Sequence, residues 1–340
     1  MLQLFMKNNR FKLLTTLLSI LLITMFVISI NTGYLKIPFI EIWSAFFGED
    51  VGNRQLTLFE FRLPRSILSI LIGAGISVAG CILQSISRNE LADPGIIGIN
   101  AGAGFAVVLY IFLFNGTTIF GETLSIFVLP FTALLGAFIA AYLVYSIART
   151  KGKVTPIRLV LVGIGINSAF SAGIIVLQMK MDPQDFVKTL TWISGSIWAT
   201  NWNYVIVTFI WLILLIPVAI YKSRYINVLN LGDSMATGLG VAVEKERRKL
   251  LLIAVGLAGC CVAVGGGISF LGLIAPHIAR KLIGSKHEKL LPLTALIGAV
   301  LLLGADTIGR IIIAPMELPV GIVVAILGAP YFIYLLMKIK

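Results

Sequence analysis

Charged residues are scarce in this 340-residue sequence, and acidic residues are the scarcest. Only 12% of the residues are charged, 15 of them Asp or Glu, while 58% are hydrophobic and the mean hydropathy is +1.00. Soluble domains carry about twice that share of charged residues. The composition therefore excludes an ordinary soluble domain. The net charge of +12 does not indicate nucleic-acid binding, because the cations lie in short segments between apolar runs, without an aromatic-laced basic stripe.

Residues and motifs that carry enzyme chemistry are also rare. The chain has two histidines, His277 and His287, and three cysteines, Cys81, Cys260 and Cys261, all inside apolar runs. These numbers exclude a multi-histidine metal site within one chain and give no disulfide framework. The sequence has no GxxxxGK[ST] phosphate loop, no HExxH and no nucleophile elbow. It therefore predicts no catalytic residue, no metal site and no cofactor bound by this chain.

Long apolar runs fill the remainder of the chain. Each is close to the length of about 20 residues with which an α-helix spans a bilayer. The first is longer than the apolar part of a secretory signal and lacks a small-residue cleavage site after it, so it is interpreted as a retained span. The ten predicted spans are 13–31, 66–86, 98–114, 126–147, 158–178, 204–221, 249–267, 270–284, 291–309 and 319–337.

The distribution of cations sets the orientation of these spans. With the N-terminus inside, 20 of the 27 Lys and Arg residues fall in inner segments and 7 in outer segments. This bias follows the positive-inside rule, and an error of one span would destroy it. The sequence therefore predicts an all-α polytopic membrane protein, a single transmembrane domain over residues 1–340 with both termini cytoplasmic. Ten spans also permit an inverted repeat of five and five, for which internal sequence similarity is thin.

Two features depart from simple turns between spans. Arg62 and Arg65 flank Pro64 at an outer helix start, against the positive-inside rule. They either bind acidic groups of a partner or substrate, or form a solvated pair that extends to the lipid headgroups. Asp306 and Arg310 are spaced to pair across one helical turn.

The longest inner loop, 229–248, is the second such feature. It contains a predicted short helix that has Asp233 or Ser234 as its N-cap and ends at Gly238 or Gly240. Such a helix is a docking element for a cytoplasmic partner, and the alternative is a plain connection.

A series of motifs from about residue 61 to the C-terminus resembles the FecCD-type permeases of ATP-binding cassette (ABC) importers for ferric siderophores, haem and cobalamin. Glu90 departs from the Pro that is commoner in that family. The motifs include Arg62-Leu63-Pro64-Arg65, Arg88-Asn89-x-Leu91-Ala92-Asp93-Pro94-Gly95, Leu231-Gly232-Asp233, Gly272-Leu273-x-x-Pro276-His277, Ala305-Asp306-x-x-x-Arg310 and Glu317-Leu318-Pro319.

The resemblance implies the type II ABC importer permease architecture in a bacterial cytoplasmic membrane. It implies a second permease subunit, identical or paralogous, an extracytoplasmic substrate-binding protein, and a cytoplasmic ABC ATPase dimer that holds ATP and Mg. The expected cargo is an iron chelate, most commonly a ferric siderophore, with haem and cobalamin as alternatives. An ion-coupled secondary transporter is the alternative of a different class, and the scarcity of intramembrane carboxylates disfavours it.

The resemblance also implies roles for individual residues. Arg62, Arg65 and Arg310 are the expected docking cations for the binding protein. Asn89, Leu91 and Thr155 fall where the family has its cytoplasmic gate. Gln84 and Asn167 are expected to line the path. The coupling helix that contacts the ATPase comprises Leu231, Gly232, Asp233, Ser234, Met235, Ala236, Thr237, Gly238, Leu239 and Gly240.

Overall fold

Helices make up most of the chain in the computed structural model, which describes residues 2–33, 53–95, 97–114, 121–198 and 200–338. A π-helical turn, Thr57–Arg62, joins the second helix to the third. In chain order the helices are α1 (Leu2–Asn31), α2 (Asn53–Leu56), α3 (Leu63–Ser87), α4 (Ile99–Phe114), α5 (Gly121–Ala148), α6 (Pro156–Gln178), α7 (Pro183–Ile193), α8 (Trp202–Tyr221), α9 (Ser223–Leu229), α10 (Asp233–Gly238), α11 (Val243–Gly265), α12 (Leu271–Ile283), α13 (His287–Ile311) and α14 (Val320–Lys338).

Ten of the helices in this part of the chain occupy the positions that the apolar runs predict. Eight spans, those of α1, α3, α5, α6, α8, α11, α13 and α14, are long and apolar enough to cross a membrane. The other two, α4 and α12, are shorter, with 16 and 13 residues. The predicted all-α membrane fold is therefore confirmed. Helix α12 is short because the chain between Gly265 and Leu271 is not helical.

Helix α3 lies at the centre of the bundle, buried along most of its length between α8, α11, α12 and α13. Glycines bring these backbones together. A Cβ atom on Gly73 would lie 2.4 Å from the Gly298 oxygen of α13, and one on Gly80 would lie 2.0 Å from the Gly272 oxygen of α12. Small residues allow such close approach in helices that pack in lipid. By contrast, α1 and α6 expose most of their side chains, as lipid-facing helices do.

The outer connection between α6 and α8 contains α7. This helix begins where the Asp182 carboxylate accepts a hydrogen bond from the Asp185 N–H at 2.9 Å. Its end packs against two neighbouring segments. The Gly267 N–H donates to the Trp192 oxygen at 3.4 Å, and the Gly321 N–H donates to the Gly195 oxygen at 3.0 Å. The end of α7 therefore ties the α11–α12 connection to the start of α14.

The cytoplasmic side carries a β-hairpin and two short helices. Strands β1 (Arg149–Thr150) and β2 (Lys153–Val154) pair antiparallel, and their two turn residues both have positive φ, as a type I′ hairpin requires. Helix α10 is the short helix expected in the inner loop. Its expected cap is wrong, because Gly232 holds the N-cap position at φ 113° without a side-chain cap. Asp233 is instead free to pair with arginines.

Candidate functional site

The outer ends of α3 and α13 meet in an outer cluster formed by Arg62, Arg65, Asp306, Arg310 and Glu317. The Asp306 carboxylate accepts hydrogen bonds from Arg65 Nε at 2.9 Å and lies 3.2 Å from Arg310 Nε. This confirms the Asp306–Arg310 pair across one turn. Arg65 also contacts Glu317 Oε2 at 2.5 Å. Asp306 thus pairs with Arg65 and Arg310, and Glu317 pairs with Arg65.

Two members of the outer cluster bind the carbonyl end of α1. Arg62 donates to the Ile30 oxygen at 2.7 Å, and Arg310 donates to the Thr32 oxygen at 3.3 Å. Arg310 also reaches Ser29 Oγ at 2.5 Å. The last carbonyls of a helix carry partial negative charge and lack partners within the helix. Helix α1 has no basic residue in its last turn, so the neighbouring helices supply the cations.

The three outer arginines are therefore buried. Arg62, Arg65 and Arg310 are 7%, 8% and 6% exposed. The interpretation of Arg62 and Arg65 as a solvated pair is wrong, because their guanidinium groups bind atoms of the chain itself. The docking role of these arginines stays a prediction. Among their carboxylate partners in the described part of the chain, Glu317 is the accessible one, with 32% of its side chain exposed, whereas the Asp306 side chain is fully buried.

The coupling segment 231–240 presents an apolar face to the cytoplasm. Leu231 precedes α10, Met235 lies within it and Leu239 directly follows it. They are 60%, 59% and 62% exposed. Ala236, in contrast, is fully buried against the transmembrane helices. We refer to Leu231, Met235 and Leu239 as the coupling face.

Asp233 connects the coupling segment to two other parts of the protein. Its carboxylate pairs with Arg88, which follows α3, and with Arg247 of α11 at 2.9 Å. Arg247 also donates to the Val154 oxygen of β2 at 2.8 Å and pairs with Glu244 at 2.6 Å. The carboxylate of α10 thus has direct links to the end of α3 and, through Arg247, to the hairpin.

Each of these links ends beside a residue of the predicted gate. Asn89 directly follows Arg88, and its side-chain oxygen accepts a hydrogen bond from the Leu91 N–H at 2.9 Å. Leu91 packs against buried residues of α12 and α14. Thr155 directly follows Val154, is exposed, and is the N-cap residue of α6. Asn89 and Thr155 thus directly follow residues that the Asp233 ion pairs reach, and Leu91 is hydrogen-bonded to Asn89. The gating role of all three stays a prediction.

A cavity of about 460 Å³ with a mainly apolar wall lies among α4, α6, α7, α12 and α14, and we call it the polar cavity after the few polar side chains in that wall. Asn167 of α6 is one of them, and its part in the path stays a prediction. Asp93 and Asn100 also line it, and each has a buried side-chain oxygen without a hydrogen-bond partner among the described residues. Burial raises the pKa of Asp93 to about 6, while the hydrogen bond from the Gly95 N–H acts in the opposite direction. The cavity therefore offers acceptors to a molecule that donates hydrogen bonds.

Gln84, the other expected path residue, is not among the residues that line this cavity. It is 2% exposed and lies between α3 and α12. Its amide nitrogen donates to the Gly272 oxygen at 3.3 Å, and its side-chain oxygen accepts a hydrogen bond from Arg280 at 3.1 Å. The first bond supplies a donor to a backbone oxygen in the first turn of α12, and the second joins two side chains. The geometry gives Gln84 a packing role, and its part in the path stays a prediction.

Asp93 and Arg247 are site residues to which the sequence alone gave no role. Asp93 was visible as part of a polar turn, but the pattern does not show that the turn folds against Gly272. Arg247 stood among several inner cations, and its 3% side-chain exposure is set by tertiary packing. A charge in a polar segment between two predicted spans was the available signal in both cases, and it does not distinguish a buried residue from a solvated one.

Comparison with known proteins agrees with this architecture. Residues 21–338 match the model of the FecCD transport family. The iron(3+)-hydroxamate import system permease protein FhuG of Bacillus subtilis is 55% identical, over 98% of both chains. The hemin transport system permease protein HmuU of Yersinia pestis is 36% identical, over 96% of both. A solved inward-facing metal-chelate type ABC transporter is 30% identical with a TM-score of 0.83, over 96% of this chain and 99% of that one.

The chain belongs to the FecCD transport family, which the model match over most of its length shows. It is a multi-pass transport protein of the cytoplasmic membrane, consistent with its apolar spans. The family is one of permeases rather than enzymes, in agreement with the interpretation of the sequence.

Proposed function

We propose that this chain is the permease subunit of an ATP-driven importer that carries a ferric hydroxamate siderophore across the cytoplasmic membrane. The observation that carries the proposal is the 55% identity to a hydroxamate import permease along almost the entire chain. A hemin transport permease, at 36% identity, supports the same class of protein. Its identity is lower than that of the hydroxamate permease, which favours the siderophore over haem as cargo. Haem is the second candidate cargo.

A separate ATPase dimer drives transport in this proposal, since the chain has no phosphate-binding loop. The coupling face supports this assignment, because three large apolar side chains exposed to the cytoplasm are costly unless a partner covers them. A second permease subunit completes the transmembrane path, and an extracytoplasmic binding protein delivers the cargo.

Asp233 transmits the movement of the ATPase in this mechanism. When the ATPase displaces α10, the ion pairs of Asp233 pull on Arg88 and on Arg247. Arg88 leads to the gate residues Asn89 and Leu91, and Arg247 leads through Val154 to Thr155. One short helix therefore acts on both predicted gate segments. The ATPase shifts the balance between the open and closed gate by the difference between its binding free energies for these two conformers.

The polar cavity is the part of the path that the chain itself forms. The Asp93 and Asn100 oxygens that lack a partner within the described part of the chain accept hydrogen bonds from amide or hydroxyl groups at the edge of a chelate. Aromatic and aliphatic side chains of α7, α12 and α14 make up much of the remaining wall. A few hydrogen bonds in such a wall hold the cargo weakly, which favours its release to the cytoplasm.

Uptake of radiolabelled iron tests the proposal. In a strain that lacks this gene, we expect the gene to restore uptake of ferric hydroxamates at least tenfold more than uptake of iron supplied as haem. A partner ATPase that binds but does not hydrolyse ATP should remove that gain. Restoration of haem uptake alone would overturn the cargo. Uptake that an ionophore stops while ATP stays high would overturn the driving force.

Glu317→Gln is expected to strengthen docking of the binding protein about fivefold. If Arg65 binds a carboxylate of that protein, it must first release Glu317, which holds it at 2.5 Å. Glu317→Gln removes the ion pair that competes for Arg65. An ion pair with a partly exposed partner contributes up to about 1 kcal/mol, which corresponds to about a fivefold change in Kd. Surface plasmon resonance with the reconstituted importer measures the change in Kd.

Glu60→Gln is the matched control, because Glu60 is also an exposed carboxylate at the outer side. It should leave the Kd unchanged. An equal gain in both variants would mean that only the general potential of the outer face matters. No gain in either would leave Arg65 as a structural residue that binds Asp306 and Glu317.

A further inference from the structure

A second cavity lies at the cytoplasmic ends of α1, α12 and α13 and has a volume of about 280 Å³. Basic residues dominate its wall, and none of the described residues that line it is a carboxylate. Leu282 and Ile283 form an apolar part of the same wall. We call it the basic cavity. Its five cations are Arg10, Arg280, Lys281, Lys286 and Lys289.

The described surroundings of these cations include aromatic rings as well as a carboxylate. Arg280 lies 3.4 Å from Glu90. The Lys281 and Lys289 ammonium groups lie over the rings of Tyr334 and Phe11, at 5.7 and 5.6 Å from the ring centres. The N-terminus of α13 adds partial positive charge at the same place. Like charges around one cavity repel one another, and a bound anion relieves that repulsion.

The position of the basic cavity distinguishes the kinds of anion. It lies at the cytoplasmic membrane surface, where basic pockets between transmembrane helices bind the phosphates of anionic lipids. One turn further along α1 from Arg10, an apolar stripe begins with Leu13, Leu17 and Leu21, which are 59%, 53% and 45% exposed. Acyl chains attached to a phosphate in the cavity would lie along that stripe. A soluble anion makes no use of it.

We propose that the basic cavity binds the phosphate of an anionic phospholipid of the inner leaflet, with its acyl chains along α1. The site is distinct from the polar cavity, the outer cluster and the coupling face. It does not depend on the cargo or on the ATPase. A lipid bound there holds the end of α1 against the α12–α13 connection.

Native mass spectrometry of the purified full-length permease tests the proposal, with phosphatidylglycerol, phosphatidylcholine and inorganic phosphate as probes. We expect phosphatidylglycerol to bind at least tenfold more tightly than phosphatidylcholine. Lys281→Gln combined with Lys286→Gln should weaken phosphatidylglycerol about thirtyfold, from roughly fivefold for each lysine removed near an anionic headgroup. Both side chains are exposed, so the variant is expected to fold.

The control variant combines Lys245→Gln with Arg248→Gln, two exposed cytoplasmic cations that do not line the cavity. It should bind phosphatidylglycerol as the unmodified protein does. Equal losses in both variants would overturn the site in favour of unspecific charge attraction. Equal competition by inorganic phosphate would overturn the lipid in favour of a soluble anion. Loss of ATPase binding without loss of lipid binding would assign the cavity to the protein partner.

Discussion

Gly80→Ala is expected to prevent the permease from folding into a stable bundle. The added Cβ atom would lie 2.0 Å from the Gly272 oxygen and 2.5 Å from both the carbonyl carbon and the Cα atom of that residue. These are backbone atoms of α12, so no side chain can rotate away, and α3 and α12 must separate. Overpacking of this kind costs about 3 kcal/mol or more. The better helix propensity of Ala returns only about 1 kcal/mol.

The measurement is the yield of monodisperse protein in detergent and its thermal unfolding. Gly165→Ala is the matched control, because a Cβ atom there meets nothing within 4 Å although Gly165 also lies inside a span. That variant should be as stable as the unmodified protein. If Gly80→Ala were equally stable, the close approach of α3 to α12 in the structure would be wrong.

The membrane topology was predictable from the sequence because lipid imposes a simple rule. Apolar length and the bias of cations follow from the thickness and the potential of the bilayer, and neither depends on tertiary contacts. The break between the spans 249–267 and 270–284 was predicted too, but its backbone conformation was not. Residues 266–270 are apolar enough to extend a span, yet Gly266 has a φ of 70° and Phe270 a φ of 67°, so the helix is interrupted there.

The environment of the outer arginines could not be predicted. Their position against the positive-inside rule correctly marked them as unusual. Their partners, however, include carbonyl oxygens at the end of α1, more than 30 residues away along the chain for Arg62 and more than 270 for Arg310. Residue spacing gives the Asp306–Arg310 pair because both lie on one helix, but it gives none of the contacts between helices.

The coupling segment shows a similar division. Turn and helix signals predicted α10 because they are local. The partners of Asp233 lie after α3 and within α11, and only the folded chain brings them together. The exposure of the coupling face likewise depends on how α10 packs through Ala236.

Met235→Asp combined with Leu239→Asp is expected to abolish uptake and binding of the ATPase while the permease itself stays folded. Both side chains are mostly exposed in the permease, so their replacement removes little of its own packing. Burial of each under a partner is worth about 1.5–3 kcal/mol. An unpaired carboxylate in the same place adds a desolvation cost, so the affinity should fall at least a thousandfold.

Co-purification of the ATPase with the permease and uptake of labelled iron measure the two effects. Asn230→Asp is the control, because it adds a carboxylate at an exposed cytoplasmic position just outside the coupling segment 231–240. It should retain ATPase binding, since the apolar contact is intact. Binding lost in both variants would indicate that added negative charge anywhere near α10 repels the partner. Binding retained in the double variant would show that another cytoplasmic surface holds the ATPase, because two buried carboxylates are incompatible with an apolar contact there.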